Sequence, residues 1–295
     1  MDRFDAMRVF CRVAETRSFT QTSLELGLPR STVTDAVKSL EARLGVRLLD
    51  RTTRVVTPTL DGEAYLSACH TILAHIEDAE ASFTRGEVRG RLRVDVHGTL
   101  SRHFLLPQIG SFLDRHPEVA LVLSEGDRLV DLVREGIDCA VRVGVPRDSD
   151  LIARRLGELA EITCAAPAYL EKCGVPSSSD ALDGHQMVAF ISSVTGAVIP
   201  LEFMTAKGRR EIVLPARVSV TGGETLRLAA LEGHGLIQLP RYHVEADLAT
   251  GRLVEVLQDA PPSPSPVCAV YPRDRQLSPR VKVFLDWLAN IRFGP

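Results

Sequence analysis

The stretch from Thr20 to Leu44 constrains this chain more than any other. Thr20 to Leu26 reads as a short helix, and Gly27 supplies the left-handed residue that ends one. Pro29 then opens another helix at the position where a missing N–H costs nothing. That helix carries Val33, Val37, Leu40 and Leu44 at spacings of four, three and four, one apolar stripe with polar groups opposite. A preceding helix, Asp5 to Arg17, offers Met7, Phe10, Cys11, Val13 and Ala14 to pack beneath both. Two helices joined by a tight glycine-containing turn over a third make a helix-turn-helix.

Val46 to Pro58 follows, with Leu48, Leu49, Val55 and Val56 set among polar residues in the pattern of two short strands. The pair reads as a wing. Its tip, Arg51-Thr52-Thr53-Arg54, joins positive charge to small hydroxyls that suit phosphate oxygens. Charge points the same way: the chain has 35 basic against 38 acidic residues, yet residues 1–58 hold ten Lys/Arg and only seven Asp/Glu. A basic head on an acidic body directs the head alone at phosphate. From Leu60 to about Gly86, Tyr65, Cys69, Ile72, Ile76, Ala79 and Phe83 recur at helical spacing. Thr59 is the expected N-cap, with Asp61 and Glu63 near the positive end of the dipole. Such a helix spans roughly 40 Å at 1.5 Å per residue. Its stripe is expected to bury itself against a second copy, giving a homodimer; burial on the chain's own body is the alternative.

Beyond Gly90 the texture changes to short strands alternating with helices. Strands are expected at Leu92–Val96, Val119–Ser124, Cys139–Val143, Ile162–Ala165, Arg217–Val220, Leu236–Leu239 and Val267–Tyr271. Helices are expected at Ser101–Arg115, Leu129–Arg134, Glu224–Leu231 and Val281–Ile291. The alternation implies parallel βαβ units. The stiff segment Ala260–Pro266 is a crossing within the body, because strand and helix resume after it.

Enzyme chemistry finds no support. The chain has no G-x-S-x-G elbow, H-E-x-x-H pair or G-x-x-x-x-G-K-[ST] loop. Gly233-His234-Gly235 begins like a dinucleotide fingerprint, but Gln238 stands where the third glycine belongs and a strand follows. The eight histidines lack ligand spacing and the six cysteines form no C-x-x-C pair, so no metal, cofactor or disulfide framework is expected. The charge-free stretch Gly184–Leu201 contains His185, Gln186 and Pro200 and does not read as a membrane span. MDRFDAMRVF lacks the basic start and apolar run of an export signal, which makes a cytoplasmic location with reduced thiols the expectation.

Residues 18–62, SFTQTSLELGLPRSTVTDAVKSLEARLGVRLLDRTTRVVTPTLDG, closely resemble the DNA-binding head of the LysR-type transcriptional regulators. The resemblance continues through RGRLRVDV at 89–96, FLDRHPEVALVLSEGD at 112–127, EGIDCAVRVG at 135–144 and LAALEGHGLIQLP at 228–240. It implies an α/β chain with an all-α winged helix-turn-helix at 1–59, a linker and dimerisation helix at 60–88, and an effector-binding domain at 89–295. That domain would resemble periplasmic binding proteins, with lobe I at about 89–163 and 266–295 and lobe II at about 164–265. Thr22 and Ser23 stand where paired alanines are common in this family, and Asp35 where a basic or amide residue is frequent.

With Val33, Val37 and Leu40 turned inward, the recognition helix presents Arg30, Ser31, Thr32, Thr34, Asp35 and Lys38. Arg30 is the expected main reader, donating two hydrogen bonds to guanine O6 and N7. Asp35 either accepts from a cytosine amine or holds Arg30 or Lys38 in place. Ser31 and Thr34 suit phosphate or thymine-methyl contacts, and the wing's Arg51, Thr53 and Arg54 suit phosphate or the minor groove. A dimer would set two recognition helices one DNA turn apart over an interrupted inverted repeat in double-stranded DNA. The resemblance adds a tetramer.

In open α/β sheets ligands lie beyond the carboxyl ends of parallel strands. This logic places Thr99, Leu100 and Ser101 after the first strand and Arg142 and Val143 at the third. The second lobe would contribute Ser192, Ser193, Thr221 and Gly222 to a small-molecule effector site. Thr99, Ser101 and Thr221 have N-capping as their alternative role. Two rival readings of the body are a solute-binding or enzymatic module with an autoregulatory DNA-binding head, and a scaffold without any ligand.

Overall fold

Asp2 sets the start of the chain's first helix, α1 (Arg3–Thr16): its carboxylate accepts from the Asp5 N–H while the Asp5 carboxylate accepts from the Asp2 N–H. Two orphan donors are thereby satisfied reciprocally. In this computed structural model the described residues are 1–51, 56–81, 88–128, 130–144, 150–273 and 277–294. They form two compact units, Met1–Gly90 with Asp131–Asp138, and Arg91–Val130 with Cys139–Pro295.

In the first unit α2 (Phe19–Leu26) starts on the Ser18 hydroxyl and ends at Gly27, whose φ of 61° is the expected left-handed cap. Helix α3 (Arg30–Leu44) follows Pro29 and ends at Gly45 with φ 72°. Strands β1 (Leu49–Arg51) and β2 (Val56–Pro58) pair antiparallel, Leu49 opposite Pro58. Residues 52–55 of the expected wing tip lie outside the described residues, as does the Arg51 side chain. Helix α4 (Leu60–Ala81) then begins where Thr59 accepts from the Gly62 N–H at 2.9 Å. Phe83 and Gly86 lie outside the described residues.

The core of this head unites α1, α2, α3 and the wing through Met7, Phe10, Val13, Phe19, Val33, Val37, Leu40, Leu48 and Leu49. Cys69 and Leu73 of α4 belong to the same core, with Tyr65 and Leu66 packed against it and the Phe10 and Tyr65 rings 5.6 Å apart. The first half of the α4 stripe is therefore buried on the chain's own head, and Ile72 is exposed.

The second unit contains a five-stranded sheet built from β3 (Gly90–Val96), β4 (Val119–Glu125), β5 (Cys139–Val143), β6 (Leu151–Leu159) and β15 (Ser265–Pro272). Their order across the sheet is β4-β3-β5-β15-β6. Between β3 and β4 the expected single helix is broken: α5 (Gly98–Leu100) runs into a π turn at Ser101–Leu105, a 3-10 turn at Leu106–Gln108 and then α6 (Ile109–Arg115). Pro107 is the cause, since it cannot donate to the helical ladder. The helix expected at Leu129–Arg134 also fails, Leu129 itself lying outside the described residues. Residues 132–135 make only turns, the Asp131 carboxylate accepts from the Arg134 N–H, and Gly136 closes the turn with φ 66°.

The chain then passes through β7 (Glu161–Ala165) into a second lobe holding α7 (Pro167–Cys173), β8 (Ala189–Ile191) and β9 (Val198–Ile199). The hairpin β10 (Leu201–Thr205) and β11 (Gly208–Ile212) comes next, then β12 (Ser219–Val220), α8 (Gly223–Leu231), β13 (Ile237–Pro240), α9 (Arg241–Ala249) and β14 (Val254–Val256). Strands β13, β7 and β14 form one antiparallel sheet, and β12, β8 and β9 another sheet of mixed direction. Helix α10 (Pro279–Leu288) ends the fold on the first lobe, where Phe284 and Trp287 pack on Phe112 at ring distances of 5.3 and 5.4 Å.

The expectation of parallel units is thus half right. Strands β3 and β5 are parallel, as are β8 and β12. Strand β15 returns from the second lobe and runs antiparallel to both β5 and β6, and the β10–β11 hairpin is antiparallel because its turn is short. The fingerprint-like Gly233-His234-Gly235 is a packing device. Gly235 has φ 145° and leaves a would-be Cβ only 2.8 Å from the Gln186 carbonyl oxygen.

Candidate DNA-reading face and effector cleft

The turn before the recognition helix is fixed by the residues that depart from the usual alanines. Thr22 is fully buried and its hydroxyl meets that of Thr16 at 2.8 Å, while the Ser23 hydroxyl donates to the Leu28 carbonyl at 2.6 Å. Each hydroxyl is satisfied, so neither costs the penalty of a buried orphan. Helix α3 then turns Val33, Ala36, Val37 and Leu40 into the core and leaves Arg30, Ser31, Asp35 and Lys38 exposed, with Thr32 and Thr34 half-buried. The Thr34 hydroxyl donates to the Arg30 carbonyl at 2.9 Å, which uses its proton within the helix. Among the described residues Asp35 makes no ion pair with Arg30 or Lys38. Thr53 and Arg54 lie outside the described residues, and of Arg51 only the backbone is described.

Two features that sequence reasoning missed fix the wing. The Glu41 carboxylate, on the recognition helix, accepts from the Leu48 and Leu49 N–H groups at 3.0 and 3.2 Å. Thr59 donates its hydroxyl to the Arg47 carbonyl at 2.7 Å and its N–H to the Leu48 carbonyl at 3.0 Å. Gly62 is so close to that strand that a Cβ would sit 2.9 Å from the Leu48 carbonyl carbon.

In the second unit, Thr99, Ser193 and Gly222 come together and the other expected effector contacts do not join them as a set. Thr99 is buried, and its hydroxyl meets Tyr242 OH at 2.7 Å and His97 Nδ1 at 2.9 Å. Ser193 donates to the Asp127 carbonyl oxygen at 2.9 Å, and a Cβ at Gly222 would lie 3.0 Å from Asp127 Oδ2. Leu100 is wholly in the core. Ser101 is fully buried in the π turn with no hydrogen-bond partner for its hydroxyl among the described residues, and is not an N-cap. Thr221 is exposed and α8 begins on Gly222 without a side-chain cap. Ser192 accepts from the Val194 and Thr195 N–H groups, so it builds its own loop. The Arg142 guanidinium pairs with the buried Asp95 carboxylate, which also accepts from Ser124, and Val143 is held in the sheet opposite Val267.

Five further residues meet at this junction: His97, Asp127, Tyr242, His243 and Glu224. His97 Nε2 lies 3.0 Å from Asp127 Oδ1, and the Gly223 N–H donates to Asp127 Oδ2 at 3.0 Å. His243 Nε2 lies 3.0 Å from Glu224 Oε2, and a Cβ at Gly223 would touch the His243 ring at 3.2 Å and the His97 ring at 3.8 Å. Burial lowers the pKa of both histidines despite their carboxylate neighbours. Burial also pushes the Tyr242 hydroxyl up to about 12, and its ring packs against Phe104 and His103 at 4.8 and 5.1 Å. One signal was available for Asp127: it follows the carboxyl end of a strand, the rule already applied to β3 and β5. Tyr242 and His243 carried none, because they arrive from a helix of the other lobe.

A winged helix-turn-helix head on a two-lobed α/β body defines a DNA-binding regulator with a ligand-responsive domain. Residues 4–63 match the bacterial regulatory helix-turn-helix of the lysR family, and residues 85–291 match the LysR substrate binding domain. The chain belongs to the LysR family. It is 35% identical over 293 residues to the HTH-type transcriptional regulator YhjC of Escherichia coli, covering 99% of this chain and 98% of that one. It is 33% identical to CrgA of Neisseria meningitidis, covering 97% and 96%. The solved structure of CrgA aligns with a TM-score of 0.59 at 32% identity over 97% of each chain. The full-length structure of AphB, a virulence activator of Vibrio cholerae, aligns at 0.58 and 27% identity over 98% of each chain. The protein is a DNA-binding transcriptional regulator with an effector-binding domain, not an enzyme. Among the described residues no helix is long and apolar enough to cross a membrane.

Proposed function

We propose that residues 1–59 read an interrupted inverted repeat through Arg30, that residues 60–88 pair two copies, and that residues 89–295 bind a small-molecule effector between lobes at 89–163 with 266–295 and 164–265. The observation that carries this reading is the exposed row Arg30, Ser31, Asp35 and Lys38 opposite the buried Val33, Val37 and Leu40. Arg30 donates to guanine O6 and N7, worth about 1–3 kcal/mol of discrimination. Asp35, with no ion-pair partner among the described residues, accepts from a cytosine amine. Ser31, Thr32 and Lys38 hold phosphates, as do Arg51, Thr53 and Arg54 of the wing, and Thr34 presents its methyl group. The exposed Ile72 favours pairing through α4, and two dimers form a tetramer. The protein works in the cytoplasm.

The effector contacts are Thr99, Ser193 and Gly222 with the nearby His97 and Tyr242, gathered around Asp127. Arg142, paired with the Asp95 carboxylate, ties β5 to β3 beside them. The test of the DNA reading is to recover fragmented genomic DNA on the protein at near-physiological salt and sequence it. Wild type enriches an inverted repeat, and Arg30→Ala binds the recovered site and its scrambled version alike. Equal discrimination by both proteins removes Arg30 from this role.

A further inference from the structure

We infer that Asp127 is an internal latch that holds the two lobes together when no effector is bound. The inference rests on the effector reading above and concerns how that cleft is controlled. Asp127, of the first lobe, meets the second through both its side chain and its backbone: Oδ2 accepts from the Gly223 N–H at 3.0 Å, and its carbonyl accepts from the Ser193 hydroxyl at 2.9 Å. Its other carboxylate oxygen faces His97 Nε2 at 3.0 Å. A carboxylate oxygen only accepts, so Nε2 carries the proton and donates. Burial lowers the His97 pKa and so favours the neutral ring, in which Nδ1 accepts from the Thr99 hydroxyl. Thr99 then accepts from Tyr242 OH of the second lobe. One directed chain, Tyr242 to Thr99 to His97 to Asp127, thus closes on the start of α8.

The latch is poised to open. The His97 and Asp127 side chains are 20% and 26% exposed, so a solute reaches them without the core being broken. A ligand moves an equilibrium only by binding its two states unequally. An effector that takes the Gly223 and His97 donors binds in competition with Asp127, and that competition supplies the inequality. Gly222 and Gly223 fit the arrangement: a Cβ at Gly222 would lie 3.0 Å from the carboxylate, and one at Gly223 would press on His243.

The experiment compares full-length wild type with Asp127→Ala by hydrogen exchange, and by affinity for the recovered DNA site without added metabolite. Expected is at least tenfold faster exchange in residues 221–226, no change in α3 or α10, and a DNA affinity altered at least threefold. Unchanged exchange in 221–226 overturns the latch, and faster exchange with unaltered DNA affinity overturns its regulatory role. If Asp127→Ala does not fold, Asp127→Asn is read in its place, with the same directions expected at reduced size and the same outcomes decisive. A failed effector reading is distinguishable: wild-type melting would then be unmoved by a metabolite panel, whatever Asp127→Ala does.

Discussion

Gly62→Ala sets local propensity against tertiary packing with opposite signs. Gly62 lies in the first turn of α4, where alanine is favoured over glycine by up to about 1 kcal/mol. The same Cβ would sit 2.9 Å from the Leu48 carbonyl carbon, whereas carbon atoms rest about 3.5–4.0 Å apart. The Leu48 carbonyl oxygen would lie nearer still, so the helix or the segment leading into β1 must retreat by more than about 1 Å. Both obstacles are backbone, and Thr59 pins both partners by accepting from the Gly62 N–H and donating to the Leu48 carbonyl. Overpacking of this kind costs about 1–3 kcal/mol, and a backbone obstacle places it at the upper end. The net loss is about 2 kcal/mol, or roughly 8–16 °C for a head of this size. Pulsed hydrogen exchange on peptides from α1 to α3 along a temperature ramp reads it directly. Gly110→Ala is the control: it lies in α6 with nothing within 4 Å of a Cβ, so it should be neutral or stabilising. A Gly62→Ala head that melts at or above the wild-type temperature would refute the packing argument.

Glu161 and Asp247 give two further expectations. Burial, with the nearby Glu202 carboxylate adding to it and a hydrogen bond from Ser265 opposing, pushes the Glu161 carboxyl from 4.5 up to about 7. The native state therefore holds this proton more tightly than the unfolded one, and the ionised carboxylate costs stability increasingly as pH rises from 4.5 to about 7. Glu161→Gln should leave the urea midpoint unchanged at acidic pH, where both states hold the proton, and raise stability by up to about 3 kcal/mol at about pH 8. A gain of the same size at both pH values would contradict the sign. Asp247 is fully buried between Arg227 and Arg252, each 2.5 Å away. Asp247→Ala leaves the largely buried Arg227 cation without that carboxylate and should cost about 3–5 kcal/mol, measured by urea unfolding. Arg227→Met with Asp247→Leu should recover much of the loss, and a double variant no better than the single one would show that charge burial is not the cause.

Much of the head was legible in the sequence because its determinants are local. The stripe Val33, Val37 and Leu40 defines a buried face by period alone, and Gly27 and Gly45 take the left-handed conformations that end α2 and α3. Asp2, Ser18 and Thr59 cap helices through hydrogen bonds that reach three residues along the chain. Arg30, Asp35 and Lys38 are exposed for the same reason: on a helix, the residues opposite an apolar stripe face water. The helix expected at Leu129–Arg134 shows where such reasoning stops, since Asp131 and Gly136 closed a turn that the apolar spacing left open.

Partners far apart in the chain account for the features that local reading missed. Sheet order and the antiparallel run of β15 follow from the second crossing between lobes, which no window of residues records. Asp127 and Gly223 are 96 residues apart, and Thr99 and Tyr242 are 143 apart. Side chains of this kind look like ordinary solvated polar residues until folding sets a helix start or a second hydroxyl against them. The helices of the head are written locally, because each residue's neighbours along the chain supply the cap, the period and the stop. The cleft is written only in three dimensions, because an acceptor becomes part of a site when a distant donor arrives within about 3 Å of it.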